Sequence, residues 1–194
     1  MAEKVENEIT VKVLSSEKEL LESLIKQGFK AGRTFSIDDY YYIPSELDIK
    51  NMTTREILSK AIILRYIVDG EKTIQKIMYK IKNIADNGDI ISQKAINCDV
   101  LNIEDAKKLF KSLDYYEIMN IKENDIIYYK NKFELAIKFI ENGDILIEIE
   151  TEANTEWDTI EKIKKIISEM KLPIEKGEYF IKKAEIELNK ILKR

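Results

Sequence analysis

Histidine is missing altogether from the 194 residues, and cysteine occurs once, at Cys98. The first absence removes the commonest general base, every zinc site that uses imidazole, and every Ser–His or Cys–His nucleophilic triad. The second removes an internal disulfide framework, so a reducing compartment is expected. Cys98 itself reads as a small buried side chain. A basic surplus is also lacking: the net charge of -4 argues against a nucleic-acid partner. No apolar run reaches membrane-spanning length, and Met1–Lys12 is too acidic for a secretion signal, so no membrane partner and a cytoplasmic location are expected. Proline and glycine are scarce, with two and six residues. With 44% hydrophobic residues, that composition fits a single domain with a real core.

What is present begins with two alternating segments far apart in the chain. Glu8-Ile9-Thr10-Val11-Lys12-Val13 and Ile145-Leu146-Ile147-Glu148-Ile149-Glu150 each interleave polar and apolar residues. Side chains alternate between the faces of a strand, so Glu8, Thr10 and Lys12 share one face, and Leu146, Glu148 and Glu150 another. Such a face either meets solvent or lines a polar interior able to bind a metal and phosphates.

Between and beyond them, Ser15 or Ser16 caps a helix whose stripe is Leu20, Leu21, Leu24 and Ile25, stopped by Gly28. Phe35–Ile43 is an aromatic-rich strand closed by Pro44, and Ser45–Thr54 reads as a loop. Ala61–Val68 and Thr73–Lys82 form a hairpin across Asp69-Gly70. A turn at Asn87-Gly88-Asp89 leads into a strand over Ile90–Val100. Asn102–Leu113 is a second helix, with Asn102 as cap. Two short strands are expected around Ile118–Ile121 and Ile126–Tyr129. Phe133–Ile140 and Ile145–Thr151 form a hairpin in which Glu134, Ala136 and Lys138 share the face opposite Phe133, Leu135, Ile137 and Phe139. Thr155–Met170 and Glu175–Lys193 are expected as a pair of amphipathic helices, split by Leu172-Pro173, with Trp157 anchoring them. Meandering strands with short helices point to an α+β antiparallel barrel.

Several of these residues stand in an order that resembles the CYTH superfamily of triphosphate tunnel metalloenzymes. They are Glu8 and Lys12 as Glu-x-x-x-Lys, Asp39 before tyrosines, Leu64-Arg65, the return strand ending near Lys80, and Gly143-Asp144 before Glu148-Ile149-Glu150. The resemblance covers roughly residues 6–152. It implies an eight-stranded antiparallel tunnel. The C-terminal helical pair is expected as a cover outside it, and its charge-laced faces as the candidate surface for a homodimer. The resemblance further implies a small-molecule substrate containing a triphosphate, such as ATP, tripolyphosphate or thiamine triphosphate, and Mg²⁺ or Mn²⁺ as cofactor. Carried over residue by residue, Glu8, Glu148 and Glu150 would hold the metal, and Lys12, Arg65, Lys80, Lys122 and Lys138 would grip phosphates. Hard cations take carboxylate oxygens, and a polyanion requires inward lysines and arginines, so histidine is dispensable. The chemistry implied is hydrolysis of the triphosphate or cyclisation of ATP.

Four positions depart from the family pattern. Thr10 stands where a second glutamate is usual, Ile67 where a second arginine is, and Asn124 where the Lys-Arg motif has its arginine. Lys138 stands near the place of an inward carboxylate. Metal ligands and phosphate grips are lost together, which makes a nucleotide- or polyphosphate-binding module without turnover the alternative function.

Overall fold

The computed structural model describes residues 8–84 and 90–193. Its strands are β1 (Glu8–Lys12), β2 (Lys30–Pro44), β3 (Ile62–Asp69), β4 (Lys72–Ile84), β5 (Ile90–Asp99), β6 (Tyr115–Lys130), β7 (Phe133–Ile140) and β8 (Ile145–Glu150). Five α-helices accompany them: α1 (Glu17–Lys26), α2 (Thr54–Ser59), α3 (Ile103–Ser112), α4 (Ile160–Glu169) and α5 (Lys183–Leu192). The eight strands form one antiparallel sheet in the order β1-β8-β7-β6-β2-β3-β4-β5. The first and last alternating segments are direct neighbours, with Glu8 opposite Glu150, Thr10 opposite Glu148 and Lys12 opposite Leu146.

On β1, β7 and β8 the apolar set faces the convex side, where helices bury it. Ile9, Val11, Leu135, Ile137, Ile147 and Ile149 pack with Leu20 and Leu24 of α1 and Ile163 and Ile167 of α4. Leu64 and Tyr42 pack instead under α3, against Ala106 and Phe110. Trp157 does anchor this layer, its ring edge-on to Phe133 with centroids 5.2 Å apart. The concave face is polar at its middle and apolar at one end, where α2 and α5 close over Ile63, Met78, Ile121 and Leu146. Residues of β1 and β8 share one cavity with residues of β3 and β4, so the sheet curls strongly about that face.

The expected barrel is therefore a curled, open sheet, with β1 and β5 as its two edges. A strand edge presents unpaired amides and carbonyls that need partners. On β1 these come from the C-terminal segment, expected to be helical from Glu175 but non-helical as far as Lys182, with single bridges at Ile174 and Phe180. The Thr10 amide donates to the Tyr179 carbonyl at 2.9 Å, and the Ile181 amide donates to the Thr10 carbonyl at 3.1 Å. Gly177, at φ +89°, supplies a left-handed turn in this segment that breaks helix periodicity. Only from Lys183 does the chain become helical.

Other boundaries also move. The expected loop Ser45–Thr54 runs into α2, started by a capping box between Thr53 and Glu56. The two short strands expected at Ile118–Ile121 and Ile126–Tyr129 are one strand, β6, because Glu123 and Asp125 between them are buried and paired. Cys98 is exposed rather than buried. The expected turn at Asn87-Gly88-Asp89 lies outside the described residues. No helix among the described residues is long and apolar enough to cross a membrane.

Candidate functional site

Alternation along β1 and β8 turns Glu8, Glu148 and Glu150 to the concave face, and cross-strand pairing brings them together. One carboxylate oxygen of each lies within 4.8 Å of the others. Glu8 and Glu150 are directly opposed, while Glu148 sits two residues back on the same face. Three hard oxygen donors at this spacing fit Mg²⁺ or Mn²⁺, which bind carboxylates at about 2.0–2.2 Å. The carboxylates are not left bare. The Lys182 ammonium donates to Glu8 at 3.1 Å, and Lys138 lies 3.3 Å from Glu148. Burial raises the Glu148 pKa, but the neighbouring Lys138 and Lys80 charges outweigh it and hold the group below its ordinary value.

These acids form one side of a cavity of about 280 Å³ whose other side is basic. Its wall carries Arg65, Lys76, Lys80, Lys138, Lys182 and Lys183 against only Glu8, Glu148 and Glu150. The lining of the cavity is thus richer in cations than in acids, in a protein of net charge -4. Lys80, on β4, makes no ion pair among the described residues. Burial, helped by the Arg65 charge, brings its pKa down to about 8. An ammonium held in that state gains from any anion entering the cavity.

Behind the wall is a layer of buried acids. Asp39 on β2 is fully buried and accepts two bonds from Arg65, Nε to Oδ1 and Nη2 to Oδ2, both at 2.6 Å. The Lys183 ammonium donates to Asp39 at 2.8 Å and to Glu123 at 2.6 Å. Burial opposes the ionised form of Asp39, yet these two cations outweigh it and hold the carboxyl well below the usual range. The fork from Asp39 fixes the Arg65 plane. Lys138 donates to Asp125 at 3.1 Å and lies 3.8 Å from Glu123. On the far side of Glu148 and Glu150, a second cleft of about 470 Å³ adds Glu134, Glu152 and Trp157 and has no cation in its wall.

Of the residues singled out in the sequence, Glu8, Arg65, Lys80, Lys138, Glu148 and Glu150 meet in the cavity. Lys12 shares their face but lies beyond Leu146, where Asp144 of the β7–β8 turn takes its ammonium at 2.9 Å. Lys122 is exposed on the opposite face of β6, opposite Asp38 of β2 in the strand register, and does not reach the cavity. The inward positions of β6 are Glu123 and Asp125 instead. The sequence reading missed Lys182 and Lys183 as well, both delivered by the strand-like segment that covers the β1 edge. The lone Arg65 among Ile62, Ile63 and Leu64 was the available signal that a buried acid awaited it.

No protein family and no curated protein matches the sequence. Solved structures do match the fold. The PH1819 protein from Pyrococcus horikoshii superposes with a TM-score of 0.70 at 19% identity, over 95% of this chain and 99% of that one. A candidate adenylate cyclase from Vibrio parahaemolyticus gives 0.60 at 13% identity over the whole of both chains. A candidate adenylyl cyclase from Hippeastrum, described as having a dominant triphosphatase activity, gives 0.57 at 12% identity, over 88% of this chain and 90% of that one. At such identities the likeness is one of architecture, and it agrees with the tunnel fold expected from the sequence resemblance: this chain is a divergent example of the fold shared by the candidate adenylate cyclases.

Proposed function

We propose that the chain binds a triphosphate-containing small molecule in the concave cavity, with one divalent cation at Glu8, Glu148 and Glu150, and hydrolyses it. The observation that carries this reading is the segregation of charge in one small cavity, six cations facing three clustered carboxylates. A polyanion fits the basic wall, and a volume of about 280 Å³ is small among ligand sites, which run from about 300 to 1,000 Å³. The cavity thus suits the phosphate chain, with any organic part lying outside it.

Arg65, already oriented by Asp39, and Lys80, without an ion pair among the described residues, are the first grips on phosphoryl oxygens. Lys182 and Lys183 reach the same space from the start of α5. Bound at the acidic triad, Mg²⁺ or Mn²⁺ would supply Lewis-acid charge to the phosphate oxygens and lower the pKa of water. In the reaction a water attacks the terminal phosphorus, the bridging P–O bond breaks, and the leaving oxygen's charge is spread over the cationic wall. Positioning and charge stabilisation suffice for such chemistry, which needs no nucleophilic side chain.

A second reading, binding without turnover, draws on the pairing of the cavity's own charges. Arg65 is held by Asp39, Lys182 by Glu8 and Lys138 by Glu148. The deciding assay follows phosphate and pyrophosphate release from tripolyphosphate, ATP and thiamine triphosphate with Mg²⁺ or Mn²⁺, for wild type and Glu148→Gln. Turnover lost in the variant supports hydrolysis. No turnover, with tripolyphosphate still raising the melting temperature, supports binding alone. Neither turnover nor a thermal shift refutes both.

A further inference from the structure

Three consecutive tyrosines stand near the end of β2, and their hydroxyls have different fates. The Tyr40 hydroxyl donates to Asp38 at 2.6 Å, and the Tyr42 hydroxyl donates to Glu117 at 3.0 Å. Tyr41, between them, takes the concave face, opposite Ile63 of β3 and Met119 of β6. Its ring is core: it packs with Ile43, Ile57, Ile63, Met119 and Ile121, and only 5% of the residue is exposed. A phenylalanine would fill that place as well. The hydroxyl is the surplus, and among the described residues it makes no hydrogen bond. A buried phenol ordinarily finds a partner, because an unmatched donor keeps its full desolvation cost.

What lies before this hydroxyl is the concave cavity. Tyr41 is part of its wall, and the charges of Asp39, Arg65, Glu123 and Lys138 all act on the phenol. The two acids are already engaged, Asp39 by Arg65 and Lys183, and Glu123 by Lys183. Burial, reinforced by the Asp39 charge, pushes the phenol well above its ordinary pKa, so it remains a proton donor. Arg65 and Lys138 draw an anion into the space that Tyr41 borders, and an oxyanion brings the acceptor atoms that the hydroxyl lacks.

We propose that Tyr41 is a binding residue of this cavity, whose hydroxyl donates to an oxygen of the phosphate chain held by Arg65 and Lys138. The identity of the ligand rests on the proposed function. Cations attract the chain from any direction, whereas the hydroxyl, fixed by a ring locked in the core, sets where one oxygen sits.

Titration calorimetry with tripolyphosphate, with and without Mg²⁺, and the melting temperature of the empty protein test this on the full chain. Tyr41→Phe removes an unmatched hydroxyl, so the empty variant is expected to melt at or above wild type. Its dissociation constant for tripolyphosphate is expected to rise about 10- to 150-fold, the worth of a hydrogen bond to a charged group. Tyr42→Phe, which loses a hydroxyl bonded to Glu117 beside α3, is expected to do the reverse, melting lower with unchanged affinity. Unchanged affinity in Tyr41→Phe overturns the inference and leaves the proposed function standing. So does a Tyr41→Phe that melts below wild type, which makes the hydroxyl part of the fold. A wild type that binds tripolyphosphate neither with nor without Mg²⁺ removes the proposed function and this inference with it.

Discussion

Lys80 offers a substitution whose effects on stability and on binding have opposite signs. Its pKa of about 8 in the folded protein compares with about 10.4 in an unfolded chain. Below pH 8 the ammonium is charged in both states, and the folded state carries the cost of burying it near Arg65, only partly offset by Glu8 and Glu148. The shift corresponds to at most about 3 kcal/mol of destabilisation at pH 7, less where water reaches the half-buried group. Lys80→Met removes that cost, so the variant is expected to melt higher, by up to about 6–12 °C for a chain of this length. Between pH 8 and 10.4 the unfolded chain retains the proton and the folded chain has lost it, so wild-type stability rises with pH through this window. The advantage of Lys80→Met must shrink over the same range. Binding moves the other way: a charge-assisted hydrogen bond is worth about 1.5–3 kcal/mol, so tripolyphosphate affinity is expected to fall about 10- to 150-fold. Differential scanning fluorimetry from pH 6 to 10.5, with and without tripolyphosphate, measures both. A lower melting temperature in the variant, or an unchanged affinity, would refute the placement of Lys80 as a cation waiting for an anion.

Asp39→Ala strands Arg65 and Lys183 without their shared buried carboxylate and is expected to cost about 3–5 kcal/mol, read from urea midpoints. Thr53→Ala removes the capping box of α2, whose neighbours Arg55 and Thr54 bond Glu185 and Asn189 of α5. Its cost is expected near 1 kcal/mol, with faster amide exchange in α5 than in α1. Deleting residues 174–194 uncovers the β1 edge and the apolar ends of two core clusters, and light scattering should then show association at concentrations where the full chain stays dispersed.

The division between what the sequence revealed and what it hid follows from where contrast exists along each strand. On β1, β7 and β8 one set of side chains is wholly apolar, because helices α1 and α4 cover it. The polar set therefore has a single possible direction: period put Glu8, Lys138, Glu148 and Glu150 on one face of their strands, and the family resemblance turned that face inward. On β6 that contrast fails. Lys122 and Asn124 are charged or polar on the outer face, and Glu123 and Asp125 are charged on the inner one, so the alternation has no phase to read. Lys122, carried over from the family's Lys-Arg motif, therefore met no contrary signal in the alternation. What marks Glu123 and Asp125 as internal is the supply of counter-charges from elsewhere, Lys138 across the hairpin and Lys183 sixty residues on. The same holds for the C-terminal segment. Its Lys- and Glu-rich composition favours a helix locally, but β1 is an edge, and its unpaired backbone groups hold this segment at Glu175 and at Tyr179–Ile181 instead. Lys182 and Lys183 enter the cavity only because that pairing stops at Ile181 and the chain turns helical there. A cavity closed by residues so remote from its strands has no local signature, and its cations belong as much to the sheet's need for a covered edge as to any ligand.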